Sequence, residues 1–132
     1  MSSRRRTHRK IDPELSGHPV EVAPGRARVR LETVPEMAAD EHGLVHGGFL
    51  FSAADHAAML AVNEPTVVLA GAEVRFLAPV RVGDSVILDA RREADDEPSR
   101  ILCVGRRGET EVFRGTFRCP VLPRHVLEEE SP

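Results

Sequence analysis

Residues 47–61 are apolar on every side of a helical wheel, and Asp55 is the one acidic side chain among them. A helix that is apolar all round is buried on nearly every side. Its many alanines favour helix and let neighbouring backbone approach closely. Glu64-Pro65 ends the stretch. The pattern predicts one central helix that the rest of the chain covers.

The other segments alternate with a period of two. Within 27–33, the apolar side chains Ala27, Val29 and Leu31 alternate with charged ones, which indicates a strand with one buried face. Gly, Pro and Asp mark the short turns, and strands joined by short turns are antiparallel. The predicted strands cover 19–22, 27–33, 66–78, 84–92, 100–106 and 111–121. This order predicts an α+β fold, with one antiparallel sheet around one helix.

The 132 residues have the length of one domain, which we expect to cover 11–123 and to begin with a short helical turn at Asp12-Pro13. An acidic tail is expected over 124–132. Segment 1–10 has almost nothing apolar and contains Arg4, Arg5, Arg6, Arg9 and Lys10. It predicts a mobile basic tail, and the alternative is a basic arm for nucleic acid or for ligand phosphates.

Composition and charge argue against several kinds of partner. Hydrophobic residues make up 41% and charged residues 30%, as in soluble globular proteins. A net charge of -3 gives no overall electrostatic case for nucleic acid. The longest apolar run is too short and too polar to span a membrane, and no signal-peptide pattern opens the chain. Cys103 and Cys119 lack metal-ligand spacing, so we expect reduced, buried thiols in a cytoplasmic protein.

The stretch His46-Gly47-Gly48-Phe49, with Asp55 nine positions after the histidine, resembles the hotdog-fold acyl-CoA thioesterases. The likeness is strongest to the phenylacetic-acid-pathway and 4-hydroxybenzoyl-CoA thioesterases, whose pattern the segment 73–84 also matches. In such proteins a curved antiparallel sheet wraps one helix, and sites lie at a dimer interface. The resemblance implies an acyl-CoA substrate, a homodimer or a dimer of dimers, and no cofactor beyond the substrate's own coenzyme A.

Thioester hydrolysis needs a donor for the negative charge on the carbonyl oxygen and a group that activates water or attacks the carbon. A helix N-terminus offers unpaired N–H groups and the positive end of its dipole. Gly47 and Gly48 leave that backbone uncovered, and the resemblance implies the Gly47 N–H as oxyanion donor, with Gly48 against the substrate. It implies Asp55 as general base or nucleophile. A hydrogen bond across the dimer is the structural alternative for Asp55.

Two residues before the helix carry open questions. Related enzymes usually have Asn or Gln six residues before the His-Gly pair, where this chain has Asp40. An ionised carboxylate cannot donate a hydrogen bond. Asp40 therefore turns away, holds a proton or acts as a second acidic group on the water. His46 could polarise the substrate or act as a base. We favour a structural role, in which its hydrogen bonds hold the turn before the helix.

Further polar residues of the helix region have a functional and a structural interpretation. Ser52 could bind substrate or its own helix backbone. Asn63 could line the acyl pocket or cap the helix C-terminus. His56 is expected to point away from Asp55 and to face the partner subunit. His42 and His46 are four residues apart, but the intervening Gly43 and loop argue against a metal site.

The phosphates of coenzyme A require cations. Five arginines on or beside the predicted sheet could supply them: Arg75, Arg81, Arg106, Arg107 and Arg114. Of these, Arg75 and Arg81 are our candidates for substrate binding. Ordinary solvated charge is the alternative for all five.

The sequence thus leads to a cytoplasmic acyl-CoA thioesterase, without nucleic-acid or membrane partners. A non-catalytic acyl-CoA-binding or sensing module is the alternative, and Asp40 and the basic segment favour it. That segment is too short to form a helix-turn-helix reader of DNA. A hotdog hydratase or dehydratase fits less well, because no second histidine is placed as those enzymes use it.

Overall fold

The computed structural model describes residues 3–130, in which one antiparallel sheet wraps around one long helix. The strands are β1 (His18–Ala23), β2 (Arg26–Glu32), β3 (Gly71–Phe76), β4 (Ser85–Arg92), β5 (Arg100–Arg107) and β6 (Thr110–Arg118). The helices are α1 (Pro13–Ser16) and α2 (Gly47–Val62), and 3-10 turns cover Pro35–Met37 and Val126–Glu130. In space the strands are ordered β1-β2-β4-β5-β6-β3, and every pairing is antiparallel.

The core lies between α2 and the sheet, where the apolar surface of the helix meets the apolar face of the alternating strands. On β2, Ala27, Val29 and Leu31 are completely buried, while the arginines between them point outward. The helix packs against β2, β4 and β5 and buries all five of its alanines. The α+β architecture predicted from the sequence is confirmed, because each period matches the geometry of the element that buries its apolar face.

The long strand predicted over 66–78 is shorter in the structure. Only Gly71–Phe76 pairs as a strand, and Val67 forms an isolated bridge with Val121. The reason lies in the neighbouring segment, where β6 ends at Arg118 and Pro120 follows. Proline has no N–H to donate, so a regular ladder cannot continue past it. The strand predicted over 111–121 ends early for the same reason.

The basic segment contacts the domain in the structure. The Arg6 N–H donates to Asn63 Oδ1 (2.8 Å), and Asn63 Nδ2 donates to the carbonyl oxygen of Arg4 (2.8 Å). The Arg6 side chain also pairs with Glu64 at 2.8 Å. Residues 1–2 and 131–132, which the predicted tails include, lie outside the described residues. These contacts bring positive charge to the C-terminal end of α2, where the helix dipole favours cations.

Candidate functional site

The loop before α2 brings the His-Gly pair to the helix N-terminus. His46 is the N-cap, and its backbone N–H donates to the carbonyl oxygen of Met37 (2.9 Å). Its side chain makes no capping hydrogen bond and is exposed, with the ring edge-on to Phe49 at a centroid distance of 6.2 Å. The turn is therefore held by the backbone of His46, while its imidazole stays accessible.

Gly47 borders an apolar groove at the N-terminus of α2. The groove has a volume of about 370 Å³ and is lined by Leu44, Val45, Gly47, Leu50, Phe76, Leu77, Ala78, Pro79 and Val80. A Cβ at Gly47 would lie only 3.1 Å from the ring of Phe76, and one at Gly48 would lie 3.1 Å from the ring of His46. Both glycines therefore keep the first turn of the helix open at its end, where N–H groups lack intrahelical partners.

Asp55 lies about two turns further along α2, among alanines. Its Oδ1 atom is buried and has no hydrogen-bond partner within the described part of the chain. Burial disfavours the charged carboxylate and raises the pKa of Asp55 to about 6. At neutral pH the group is thus mostly ionised and is a stronger base than an ordinary aspartate. The arrangement suits proton abstraction from water.

The thiol of Cys119 shares the environment of Asp55. Burial, and then the charge of Asp55, raise the pKa of Cys119 to about 12. The side chain is completely buried at the end of the sheet. A thiol in this state remains protonated and is a poor nucleophile at neutral pH, so Asp55 is the better candidate for the reacting group.

Asp40 is engaged in its own loop. One carboxylate oxygen, Oδ1, accepts the backbone N–H groups of His42 (2.9 Å) and Leu44 (3.3 Å). The side chain is otherwise exposed. The sequence left three possibilities open for Asp40. This geometry matches the first, in which the side chain turns away from the substrate and binds its own loop in the manner of an Asx turn.

Ser52 and His56 both contact the short helix α1. The hydroxyl oxygens of Ser52 and Ser16 are 2.7 Å apart, and His56 Nδ1 lies 3.0 Å from the carbonyl oxygen of Ser16. His56 is completely buried, so the expectation that it faces a partner subunit is wrong. The contacts of Ser16 were not predicted from the sequence, because the four residues of α1 contain no recognisable motif apart from the Asp12 cap.

Asn63 serves as the C-cap of α2. Its backbone is left-handed (φ 53°, ψ 41°), and its N–H donates to the carbonyl oxygen of Met59 (2.8 Å). Asparagine tolerates this conformation better than most residues. Its amide side chain is occupied by the backbone of Arg4 and Arg6. Asn63 therefore joins the basic segment to the helix, away from the apolar groove at the other end.

The candidate arginines separate into two groups. Arg106 and Arg114 both pair with Glu111, at 3.7 and 2.8 Å, and Arg107 donates to the carbonyl oxygen of Pro79. Arg75 and Arg81 are exposed, and their side chains make no ion pair or hydrogen bond with the described residues. Arg81 lies beside the loop before α2, since it forms a bridge with Leu44.

Residues 3–130 contain no group of three or more His, Cys, Asp or Glu side chains arranged to hold a metal ion. Within the same residues, no helix is long and apolar enough to cross a membrane.

A family model of the thioesterase superfamily matches residues 42–93, which include α2 and β3. The crystal structure of an uncharacterized protein from Pyrococcus horikoshii has a TM-score of 0.90 and 48% identity, over 96% of this chain and 98% of that one. A mutant of the phenylacetic acid degradation protein PaaI from Thermus thermophilus has a TM-score of 0.70 and 26% identity, over 82% of this chain and 95% of that one. The chain belongs to the thioesterase superfamily and has the hotdog fold.

Curated relatives match over most of this chain but a smaller part of their own. The chain is 57% identical over 113 residues to methylthioribose-1-phosphate isomerase of Aquifex aeolicus, which is 85% of this chain and 25% of that protein. It is 33% identical over 84 residues to transcription factor FapR of Shouchella clausii, which is 63% of this chain and 44% of that protein. The chain thus spans about a quarter to a half of these relatives, so their names do not define its activity.

Proposed function

We propose that the protein hydrolyses an acyl-CoA thioester to the free acid and coenzyme A. The observation that carries the proposal is the state of Asp55, whose partly buried carboxylate has an Oδ1 without a hydrogen-bond partner among the described residues. Leaving such a group unpaired is costly, and membership of the thioesterase superfamily supplies a chemical use for it. The pKa of Asp55, raised to about 6 by burial, fits a base that works near neutral pH.

In the proposed mechanism, the carbonyl oxygen of the thioester receives a hydrogen bond from the Gly47 N–H at the positive end of α2. The acyl group enters the apolar groove beside Leu44, Phe76 and Leu77. Asp55 lies about 12 Å along α2 from Gly47, so the carboxylate that reaches this carbonyl group is that of Asp55 of the partner subunit. It either takes a proton from the water that attacks the carbonyl carbon, or attacks that carbon itself to give an anhydride that water then hydrolyses. In both routes the sulfur of coenzyme A leaves as the thiol.

Exposed cations receive the coenzyme A end in this proposal. Arg75 and Arg81 have guanidinium groups that are free of ion pairs with the described residues, and Arg81 lies beside the loop that leads to Gly47. Arginine binds phosphate oxygens well. No separate cofactor takes part, because coenzyme A belongs to the substrate.

We further propose a homodimer, or a dimer of two dimers, as the active form. β3 is an edge strand, so one side of its backbone is unpaired within the sheet. Phe76 at its end and the following Leu77 are 53% and 47% exposed. Unprotected edges and apolar side chains of this kind favour pairing with a second copy, and such pairing would cover the apolar groove from the open side.

Thiol release from a panel of acyl-CoA esters of different acyl length and polarity tests the proposal. D55N and D55A are expected to lower the rate by at least about a hundredfold. D95N, a matched change in an exposed loop, is expected to leave the rate unchanged. Absence of turnover across the whole panel, or full activity in D55A, would overturn the assignment.

Binding or sensing of acyl-CoA without hydrolysis is the second candidate. Two observations favour it, namely the carboxylate of Asp40 at a position where related enzymes carry an amide, and the likeness to the transcription factor FapR. Calorimetry with the same esters separates the candidates. Tight binding without thiol release would select the sensing function.

A further inference from the structure

The basic segment forms a strap, defined here as residues 3–8, that crosses the C-terminal half of α2. Its first contact is the Ser3 N–H, which donates to the carbonyl oxygen of Val22 on β1 (2.5 Å). Arg4 and Arg6 bind the side-chain amide of Asn63 through their backbone, and Arg6 pairs with Glu64. The strap is thus fixed at the edge of the sheet and at the end of the helix.

The C-terminal end of the strap is partly buried. Thr7 is 7% exposed, and its hydroxyl lies 2.8 Å from His8 Nδ1. Arg5 Nη2 donates to the carbonyl oxygen of His8 at 2.9 Å, and His8 has a left-handed backbone with φ 54°. Arg5 Nε is a buried atom without a hydrogen-bond partner among the described residues. The guanidinium group of Arg5 is therefore partly covered by the protein, and one of its buried donors has no described acceptor.

His56 is the group on α2 that shares this environment. It is completely buried, its Nδ1 faces the carbonyl oxygen of Ser16, and its Nε2 has no partner within the described part of the chain. Because a carbonyl oxygen can only accept, Nδ1 carries the proton in the neutral ring and Nε2 carries the lone pair. A second proton at Nε2 would have no described acceptor.

The charged and titratable groups around the two histidines are mostly positive. Burial lowers the pKa of His56; the carbonyl groups of Ser16 and Gly17 oppose this, and Arg5 and His8 reinforce it. Burial and then Arg5 lower the pKa of His8. His125 lines the same hollow of about 270 Å³ as His8. No carboxylate is among the groups that shift either pKa.

We propose that the strap is a pH-dependent latch, which is docked on α2 while His8 and His56 are neutral and is released when they are protonated. Protonation adds positive charge near Arg5, where His56 Nε2 and Arg5 Nε are already buried without a hydrogen-bond partner among the described residues. Release returns the ring of His8 to water and removes the charge of Arg5 from the surroundings of His56, so the released state binds protons more readily than the docked state. The latch is independent of the proposed hydrolysis, although it acts on the helix that carries Asp55.

The sign of the pH dependence follows from the lowered pKa values. Docking is at full strength above the ordinary histidine pKa of about 6.5 and weakens as the pH falls below it. Each histidine changes the docking equilibrium by at most about tenfold per pH unit in this range, so the two together give at most about a hundredfold.

A nitroxide spin label at position 3 of the full chain measures docking directly. S3C introduces the labelling site, and the two native cysteines, Cys103 and Cys119, are completely buried and do not compete for the label. At about pH 7.5 we expect a spectrum dominated by the immobilised component, and a mobile component that grows as the pH falls from about 6.5 to 5. Circular dichroism at each pH verifies that the domain stays folded.

Single substitutions identify the groups responsible. Asparagine accepts a left-handed backbone, so H8N in the labelled chain is expected to keep the strap docked and to reduce the steepness of the titration by about half. H8N combined with H56Q is expected to abolish it, and H125Q is expected to leave it unchanged. If the double variant does not fold, the comparison of H8N with H125Q decides. An unchanged spectrum from about pH 7.5 to 5, or equal titrations in wild type and H8N, would overturn the latch.

Discussion

The side chains of Ser16 and Ser52 come from elements 36 positions apart, and their hydroxyl oxygens are 2.7 Å apart. Ser52 lies on α2 one turn before Asp55 and His56, so this contact fixes α1 close to the proposed reacting group. The carbonyl oxygen of Ser16 also lies 3.0 Å from His56 Nδ1. One residue of a four-residue helix therefore orients the central turn of α2.

We expect S16A and S52A each to lower the free energy of unfolding by about 1 kcal/mol, because each removes one partner of a part-buried hydrogen bond. The double variant should lose much less than the sum. Urea unfolding of the four proteins measures this coupling. If Ser52 instead binds substrate, S52A alone will raise the KM for acyl-CoA, whereas a structural role predicts the same KM in both single variants.

The rate of thioester hydrolysis should depend on the ionisation of Asp55. Burial raises its pKa to about 6, and a base or nucleophile must be deprotonated. We expect kcat/KM to be constant above about pH 7 and to fall about tenfold per pH unit below about pH 6. Initial rates with one acyl-CoA between these limits give the curve. A midpoint near that of an ordinary aspartate, about pH 4, would contradict the burial-based assignment.

D55N should stabilise the fold at neutral pH. The folded protein disfavours the charged carboxylate, so the wild type loses stability as the pH rises from the unfolded pKa near 3.8 to about 6, and the loss stays constant at higher pH. We expect D55N to raise the free energy of unfolding at neutral pH by about 1–2 kcal/mol, a value reduced for partial exposure.

Below about pH 4 the difference between D55N and wild type should disappear, since both carry a neutral side chain there. Thermal or urea unfolding at the two pH values measures it. A variant that is less stable than wild type at neutral pH would indicate that the carboxylate has a partner in solution, for example across a dimer.

Two substitutions at position 40 separate its loop role from its chemical role. D40N retains an oxygen that can accept from His42 and Leu44, and its amide can donate where a carboxylate would repel an oxyanion. We expect D40N to keep the stability of the wild type and to raise kcat/KM by about tenfold. D40A should cost about 1 kcal/mol, because it leaves the loop N–H groups without their acceptor.

Urea unfolding and thiol release on the same two preparations provide the measurement. Equal kcat/KM in D40N and wild type would mean that the residue acts in the loop alone. A loss of activity in D40N with unchanged stability would instead support the carboxylate as a second acidic group.

The helix and most of the strands could be predicted from the local pattern of apolar and polar residues. The apolar stretch 47–61 and the alternating segments after it specify a helix and strands because their periods allow only those elements to bury their apolar faces. The predicted strands 66–78 and 111–121 were too long because the end of a strand depends on its neighbour in the sheet. Here Pro120 ends the ladder between β3 and β6. The thioesterase resemblance was carried by the His-Gly-Gly turn, by Asp55 and by the segment 73–84, and the family model matches across all three, over residues 42–93.

By itself, the sequence determined one buried helix with a single acid, an antiparallel sheet around it and a glycine pair at its N-terminus. Only the tertiary structure decided the surroundings of the polar side chains. It placed His56 beneath α1, tied Asn63 to the basic segment and closed the loop on Asp40. The physical reason is that periodicity is a property of neighbouring residues, whereas burial, hydrogen-bond partners and pKa depend on segments that meet only when the chain folds.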